Sequence, residues 1–125
     1  MFFTQMIALF NPLMILIMLV CTIVGIVFGA IPGLSGGLAV SLLLPLTFGM
    51  DDLLSFAMMI AVWVGGISGG FISATLVGIP GAPASIATCF DAYPMSRRGE
   101  TVRALGIGIL ASFAGTFLSC IVATF

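Results

Sequence analysis

Hydroxyl side chains set beside proline-glycine interruptions are the chemistry that this sequence offers. Ser35 and Gly36 follow Ile31-Pro32-Gly33, and Ser85 and Thr88 follow Ile79-Pro80-Gly81-Ala82-Pro83. Each proline removes a backbone donor and disfavours helix in the residue before it, while glycine adds chain entropy, so neither stretch sustains continuous helix. Both therefore expose backbone amides near hydroxyls, with no basic side chain close by, and the chemistry they suit is ligand binding through hydrogen bonds. Catalysis is not expected. Gly33-Leu34-Ser35-Gly36-Gly37 and Gly66-Ile67-Ser68-Gly69-Gly70 each fit the G-x-S-x-G pattern of a nucleophile elbow, but a serine nucleophile needs a base, usually histidine, and the chain has none. Without histidine or paired cysteines no metal-binding pattern arises either.

The elements that must position these residues are membrane helices. Charged residues make up 6% of the chain and apolar ones 62%, where a soluble domain carries about 25% charge. The net charge of -1 and the absence of lysine leave no basic surface for nucleic acid. Long, unalternating apolar runs favour helices over a barrel, whose strands alternate over about ten residues. The fold class expected is an all-α integral membrane protein, a polytopic helical bundle with broken or re-entrant helices at its Pro-Gly motifs. Inside a bilayer, backbone freed from helix is tolerated only where it is buried in protein or lines a wet cavity. A substrate or ion path is the natural reading of the breaks, and a water-exposed loop between spans is the plain alternative for the second. Cys21, Cys89 and Cys120 are odd in number and read as small packing residues.

A single membrane domain over 1–125 is expected, with apolar segments at 13–31, 38–48, 53–77 and 104–125 and breaks at 32–37 and 78–94. Met1 to Asn11 reads as a mildly amphipathic lead-in without signal-peptide features, so the first span should remain in the mature protein. Asn11 and Pro12 suit the N-cap and first position of a helix. Leu13 to Ile31 carries no charge and, as helix, is about 28 Å long, enough to cross. Gly25, Gly29, Gly33 and Gly37 recur every four residues, which predicts a groove for close backbone approach. Leu38 to Phe48 contains Pro45 and is too short for a plain span, so a half-helix or re-entrant segment is predicted there. Asp51 or Asp52 suits the cap of the next helix, whose middle, Gly65-Gly66 with Gly69-Gly70, predicts close packing or a bend. Arg97, Arg98 and Arg103 are the only basic residues; they assign their loop to the cytoplasmic side, with 104–125 running outward. Asp91 reads as the cap of a turn into Tyr93-Pro94 or as a carrier of coupling protons or a cation. The last run is still apolar at Phe125, which reads as an incomplete fragment of a larger protein.

Taken in order, Gly29-Ala-Ile-Pro-Gly-Leu34, Leu42-Leu-Leu-Pro-Leu-Thr-Phe48, Gly65-Gly66 with Gly69-Gly70, Ile79-Pro-Gly-Ala-Pro-Ala-Ser85 with Thr88, and Asp91-Ala-Tyr-Pro-Met95 resemble the large membrane subunit of tripartite tricarboxylate transporters, in its N-terminal portion. Gly78 stands where the family often has asparagine, and Ala92 where it usually has glycine. The resemblance implies secondary uptake of a carboxylate across a bacterial inner membrane, driven by a sodium or proton gradient, with a periplasmic solute-binding protein and a small membrane subunit as partners. A carboxylate needs donors, and the apolar runs hold no Arg or Lys. The candidate substrate-binding set is therefore the breaks and their hydroxyls: Pro32, Gly33, Ser35, Gly36, Pro80, Gly81, Pro83, Ser85 and Thr88. No cofactor is expected. The alternative is a non-transporting membrane scaffold in which both breaks are mere kinks.

Overall fold

The computed structural model describes residues 11–124, so the lead-in read over 1–10 and the end of the last run at Phe125 lie outside the described residues. Helix α1 (Pro12–Ala30) starts where Asn11 Oδ1 accepts the Leu13 amide at 3.2 Å, with proline at its first position. It ends at Ile31, extended before Pro32 as the residue before a proline prefers to be. The Leu34 amide donates to Ile31 O at 3.1 Å and Gly33 has φ +90°, a turn with proline second and a left-handed glycine third. Helix α2 (Gly36–Leu43) follows and tightens into a 3-10 turn over Leu44–Thr47 at Pro45. Helix α3 (Asp52–Val77) runs unbroken through its glycine pairs and stops at Gly78, left-handed at φ 74°. A 3-10 turn over Pro83–Ser85 leads into α4 (Ile86–Arg97), and α5 (Thr101–Thr124) closes the described chain. No strand occurs among the described residues. Helices α1, α3 and α5 are each long and apolar enough to cross a membrane.

Glycine decides how these helices meet. A Cβ on Gly25 would strike the Val62 carbonyl, one on Gly29 the Gly66 carbonyl, one on Gly65 the Thr22 carbonyl and one on Gly69 the Ile26 carbonyl. Without side chains at these positions, α1 and α3 touch backbone to backbone over two turns, as small residues allow in membranes. The glycine pairs of α3 thus serve close packing, the first of the two expectations. Of the four glycines spaced along 25–37, only Gly25 and Gly29 face this seam. Gly33 has left the helix and nothing approaches it, and Gly37 lies against the Trp63 ring and Ser35 Oγ.

The pairing of Thr22 with Gly65 and of Ile26 with Gly69 makes α1 and α3 parallel, which requires the chain between them to travel back. It does so through α2, which starts with Gly36 against Gly66 and leads to Thr47, whose carbonyl accepts from Ser55 Oγ at 3.4 Å near the start of α3. The second break behaves differently. After Gly78 the chain folds back so that Ala82 and Ser85 lie at Gly70, and Tyr93 then lies against Gly78. Residues 78–97 therefore dip in beside the last turns of α3 and return to the end where they began. There the Ser96 and Thr101 hydroxyls bond at 3.0 Å, and α5 runs back along α3, with Gly108 on the Phe71 ring.

Two expectations change. The break read over 78–94 is shorter, because Ile86–Arg97 is helix with Asp91 and Pro94 inside it; Asp91 is exposed in mid-helix and caps no turn. Pro94 lacks only its own amide donor, and the helix still closes on Gly99 (φ 86°), whose amide donates to Ser96 O while Glu100 donates to Met95 O, a paired ending for otherwise orphaned carbonyls. At the start of α3, Asp51 is the N-cap by backbone conformation but its carboxylate makes no capping hydrogen bond, and Asp52 lies in the first turn. What remains of the capping expectation is the attraction of both charges to the helix's positive end.

Candidate functional site

The two breaks, distant in sequence, meet at one cleft of about 390 Å³. Gly33 and Ser35 line it from the first, and Pro80, Gly81, Ala82 and Pro83 from the second, with Ile86 at its edge. Both arrive there because α3 gives them a platform: Gly36 rests on Gly66, and Ala82 on Gly70. Gly66 and Gly70 lie about 16 and about 10 Å of helix before the end of α3 at Val77, so the cleft lies on the arginine side of the middle of the span and closer to the middle than to the end.

Its polar character comes from the backbone. Ser35 is the N-cap of α2, its Oγ accepting the Leu38 amide at 3.4 Å, which leaves the hydroxyl proton to donate. Ala82 is the N-cap of the Pro83–Ser85 turn that feeds α4. Two helical segments therefore begin at the cleft and present the positive ends of their peptide dipoles to it. No charged side chain lines it. On the second side the backbone is clamped: a Cβ on Gly81 would overlap the Gly29 carbonyl and lie 3.0 Å from Gly70 Cα, and the Ser73 hydroxyl donates to Ile79 O at 3.1 Å.

The other residues of the sequence-derived set lie around the cleft without lining it. Pro32 is exposed on the turn, and Gly36 is buried under α2 against Gly66. Ser85 is 4% exposed and its Oγ points at Gly70, while Thr88 is half-buried further along α4. Asp91 is on that helix too, and Arg97, Arg98 and Arg103 are exposed at the α4–α5 junction, where Arg103 pairs with Glu100 at 3.1 Å. Sequence reasoning missed Ala82, Ile86 and Ser73. Ala82 and Ile86 have no side-chain chemistry to signal them. For Ser73 the signal was indirect: a helix that breaks after Val77 leaves carbonyls without main-chain donors, which a hydroxyl in its last turns can reach.

A larger gap, about 500 Å³, separates α3 from α5 among Val64, Ile67, Phe71, Leu105 and Ile109. It is mostly apolar, and of its three hydroxyl residues Ser68 and Thr116 bond back to Val64 O and Ser112 O of their own helices, with Ser112 the third. Ser112 alone is left to offer a donor there, against the two helix starts and the hydroxyl at the first cleft. Ser68, the serine of the second G-x-S-x-G match, is thus committed within a continuous helix and forms no elbow.

A family model described as the tripartite tricarboxylate transporter TctA family matches residues 15–125. The chain belongs to the TctA family. A protein of Agrobacterium vitis, described as an uncharacterized 52.8 kDa protein in the TAR-I ttuC' 3' region, is 32% identical over 111 residues, which are 89% of this chain and 22% of that protein. The chain thus spans well under half of that relative's length. No solved structure matches. Within the TctA family, Gly78 takes on a clearer meaning: its left-handed φ of 74° is the conformation that glycine and asparagine tolerate best. Glycine in place of the asparagine that the sequence resemblance leads one to expect keeps the backbone and gives up a side-chain amide.

Proposed function

We propose that this chain forms part of the membrane permease of a secondary transporter that takes up tricarboxylates or related carboxylates across the bacterial inner membrane. Substrate would be delivered by a periplasmic solute-binding protein, with a small membrane subunit alongside and a sodium or proton gradient driving uptake. The observation that carries the reading is the convergence of two Pro-Gly breaks on one cleft, where two helix starts and the Ser35 hydroxyl offer donors and no acid repels an anion. Broken helices whose starts face an anion are a recurrent transporter arrangement. In this reading Gly33, Ser35, Gly81 and Ala82 contact the carboxylate, while Pro32, Gly36, Pro80, Pro83, Ser85 and Thr88 shape the backbone behind them. Asp91, exposed on α4, is the candidate for ion coupling. No enzymatic role is assigned.

Uptake of labelled citrate by cells carrying the complete transporter and its binding protein tests this. Accumulation should stop when both the sodium and the proton gradients are collapsed, and dissipating each alone identifies the coupling ion. Accumulation that survives loss of both would overturn secondary transport. Asp91→Asn should abolish accumulation while citrate still binds. The backbone-to-backbone seam of α1 and α3 would suit a packed scaffold equally well, and a cysteine at Ser35 that stays inert to small aqueous thiol reagents would favour that second reading.

A further inference from the structure

Ser73 lies in a helix whose neighbouring hydroxyls behave differently from its own. Thr22, Ser41, Ser68, Thr75 and Thr116 all donate to the carbonyl four residues earlier in their own helix, the ordinary habit of Ser and Thr in apolar helices. Ser73 is 5% exposed and donates forward instead, past the end of α3, to Ile79 O at 3.1 Å. That carbonyl has a specific deficit. In a helix it would receive the amide of residue 83, but residue 83 is proline and has none; Pro80 meanwhile favours the extended form of Ile79. No main-chain donor reaches Ile79 O among the described residues. An unpaired carbonyl at membrane depth is costly, so its orientation follows whatever donor is offered.

We propose that Ser73 is a positioning residue of the carboxylate cleft: its hydroxyl supplies the donor that no main-chain amide gives the Ile79 carbonyl, fixes the plane of the Ile79–Pro80 peptide, and so aims the Gly81–Ala82 backbone across the cleft toward Ser35. The proposal rests on the reading of that cleft as the substrate site. Ser73 touches no substrate itself, since it does not line the cleft. Its partner at the base of the loop is the Gly29 carbonyl beneath Gly81. The glycine contact sets how deep the break sits, and the serine sets which way it faces.

The test places a single cysteine at Ala82, with Cys21, Cys89 and Cys120 replaced, in the full-length protein in native membranes. Its reaction rate with a water-soluble methanethiosulfonate is measured with and without citrate. Ser73→Ala should change the citrate-free rate at least fivefold, Ser73→Thr should return it to within twofold of the parent, and Ser68→Ala, whose hydroxyl stays within its helix, should leave it unchanged. In uptake, Ser73→Ala should raise KM about tenfold with kcat nearly kept. Should Ser73→Ala fail to reach the membrane, Ser73→Thr and Ser73→Val, equal in shape and differing in the hydroxyl, ask the same question. An Ala82 cysteine that citrate protects equally, and that reacts at the parent rate in Ser73→Ala or in Ser73→Val, overturns the role of Ser73 while leaving the site intact. A rate that depends on the hydroxyl but that citrate never changes would uphold Ser73 as the anchor of the break and remove the carboxylate site instead.

Discussion

At Ile31-Pro32-Gly33 the glycine stands at φ +90° with nothing within 4 Å of where a side chain would begin, whereas at Ile79-Pro80-Gly81 the glycine's φ is not positive and a side chain would collide with Gly29 O. The same tripeptide serves conformation in one place and closeness in the other. The first break is an exposed turn that sends the chain back along α3 to the side where α1 began. The second is a re-entrant loop anchored at the buried Gly81, held from below by Gly29 and from the side by Ser73. A repeated motif therefore does not imply a repeated structural role, and the two halves of the cleft should respond differently to equivalent substitutions.

The largest effect is expected at the buried side. Gly81→Ala puts a methyl into the Gly29 carbonyl and should cost about 3 kcal/mol through overpacking, read as loss of folded protein in detergent on mild heating. Gly29→Ala attacks the same contact, and Gly66 as well, so the double variant should be less destabilised than the sum of the two singles. At the open side Gly33→Ala should cost only about 1 to 2 kcal/mol, the penalty of a left-handed L-residue. Asparagine separates the two cases, since Gly33→Asn should be nearly neutral and Gly81→Asn as harmful as alanine. Equal tolerance of asparagine at both positions would break the comparison.

Chain path gives the next test. If the two breaks route the chain as described, a cysteine at Met50 and one at Gly99 lie on opposite membrane faces. With the arginines cytoplasmic, Met50→Cys should react with an impermeant thiol reagent in intact cells and Gly99→Cys only after permeabilisation. The start of α1 then lies on the same side as Met50. A reporter active only in the periplasm and fused after Gly99 should stay silent, and replacing all three arginines together should scramble insertion more than any single replacement. The smallest effect belongs to Asp51→Asn, which removes a charge that makes no capping hydrogen bond; citrate affinity should stay within twofold and stability within about 0.5 kcal/mol.

Helices α1 and α5 were legible because each contains an uncharged run of membrane length, and the start of α1 was legible in Asn11-Pro12. The two interruptions were legible because proline and glycine act locally. What was not legible depends on partners. Gly65, Gly66, Gly69 and Gly70 signal close approach, but not that Thr22 and Ile26 approach them in the parallel sense, from which the return path through α2 follows. Pro94 and Asp91 read as a turn because the residue before proline resists helix locally; the buried Ala92, the contact of Tyr93 with Gly78 and the closure at Gly99 override that preference. Ser85 and Thr88 were chosen for their hydroxyls, yet a 3-10 turn rotates Ser85 onto Gly70 and presents Ala82 to the cleft in its place.

Protection of two single cysteines by one ligand tests most directly whether the two breaks build one site. Ser35→Cys and Ala82→Cys, each in a background without other cysteines and in the complete transporter, are titrated with citrate while their reaction with a small aqueous thiol reagent is followed. Both should react in the absence of citrate and both should be protected, with half-saturating concentrations that agree within about threefold once the lost Ser35 donor, worth roughly 1.5 to 3 kcal/mol to a charged ligand, is allowed for. Protection of one position alone, or citrate-independent reaction at both, would contradict a shared site.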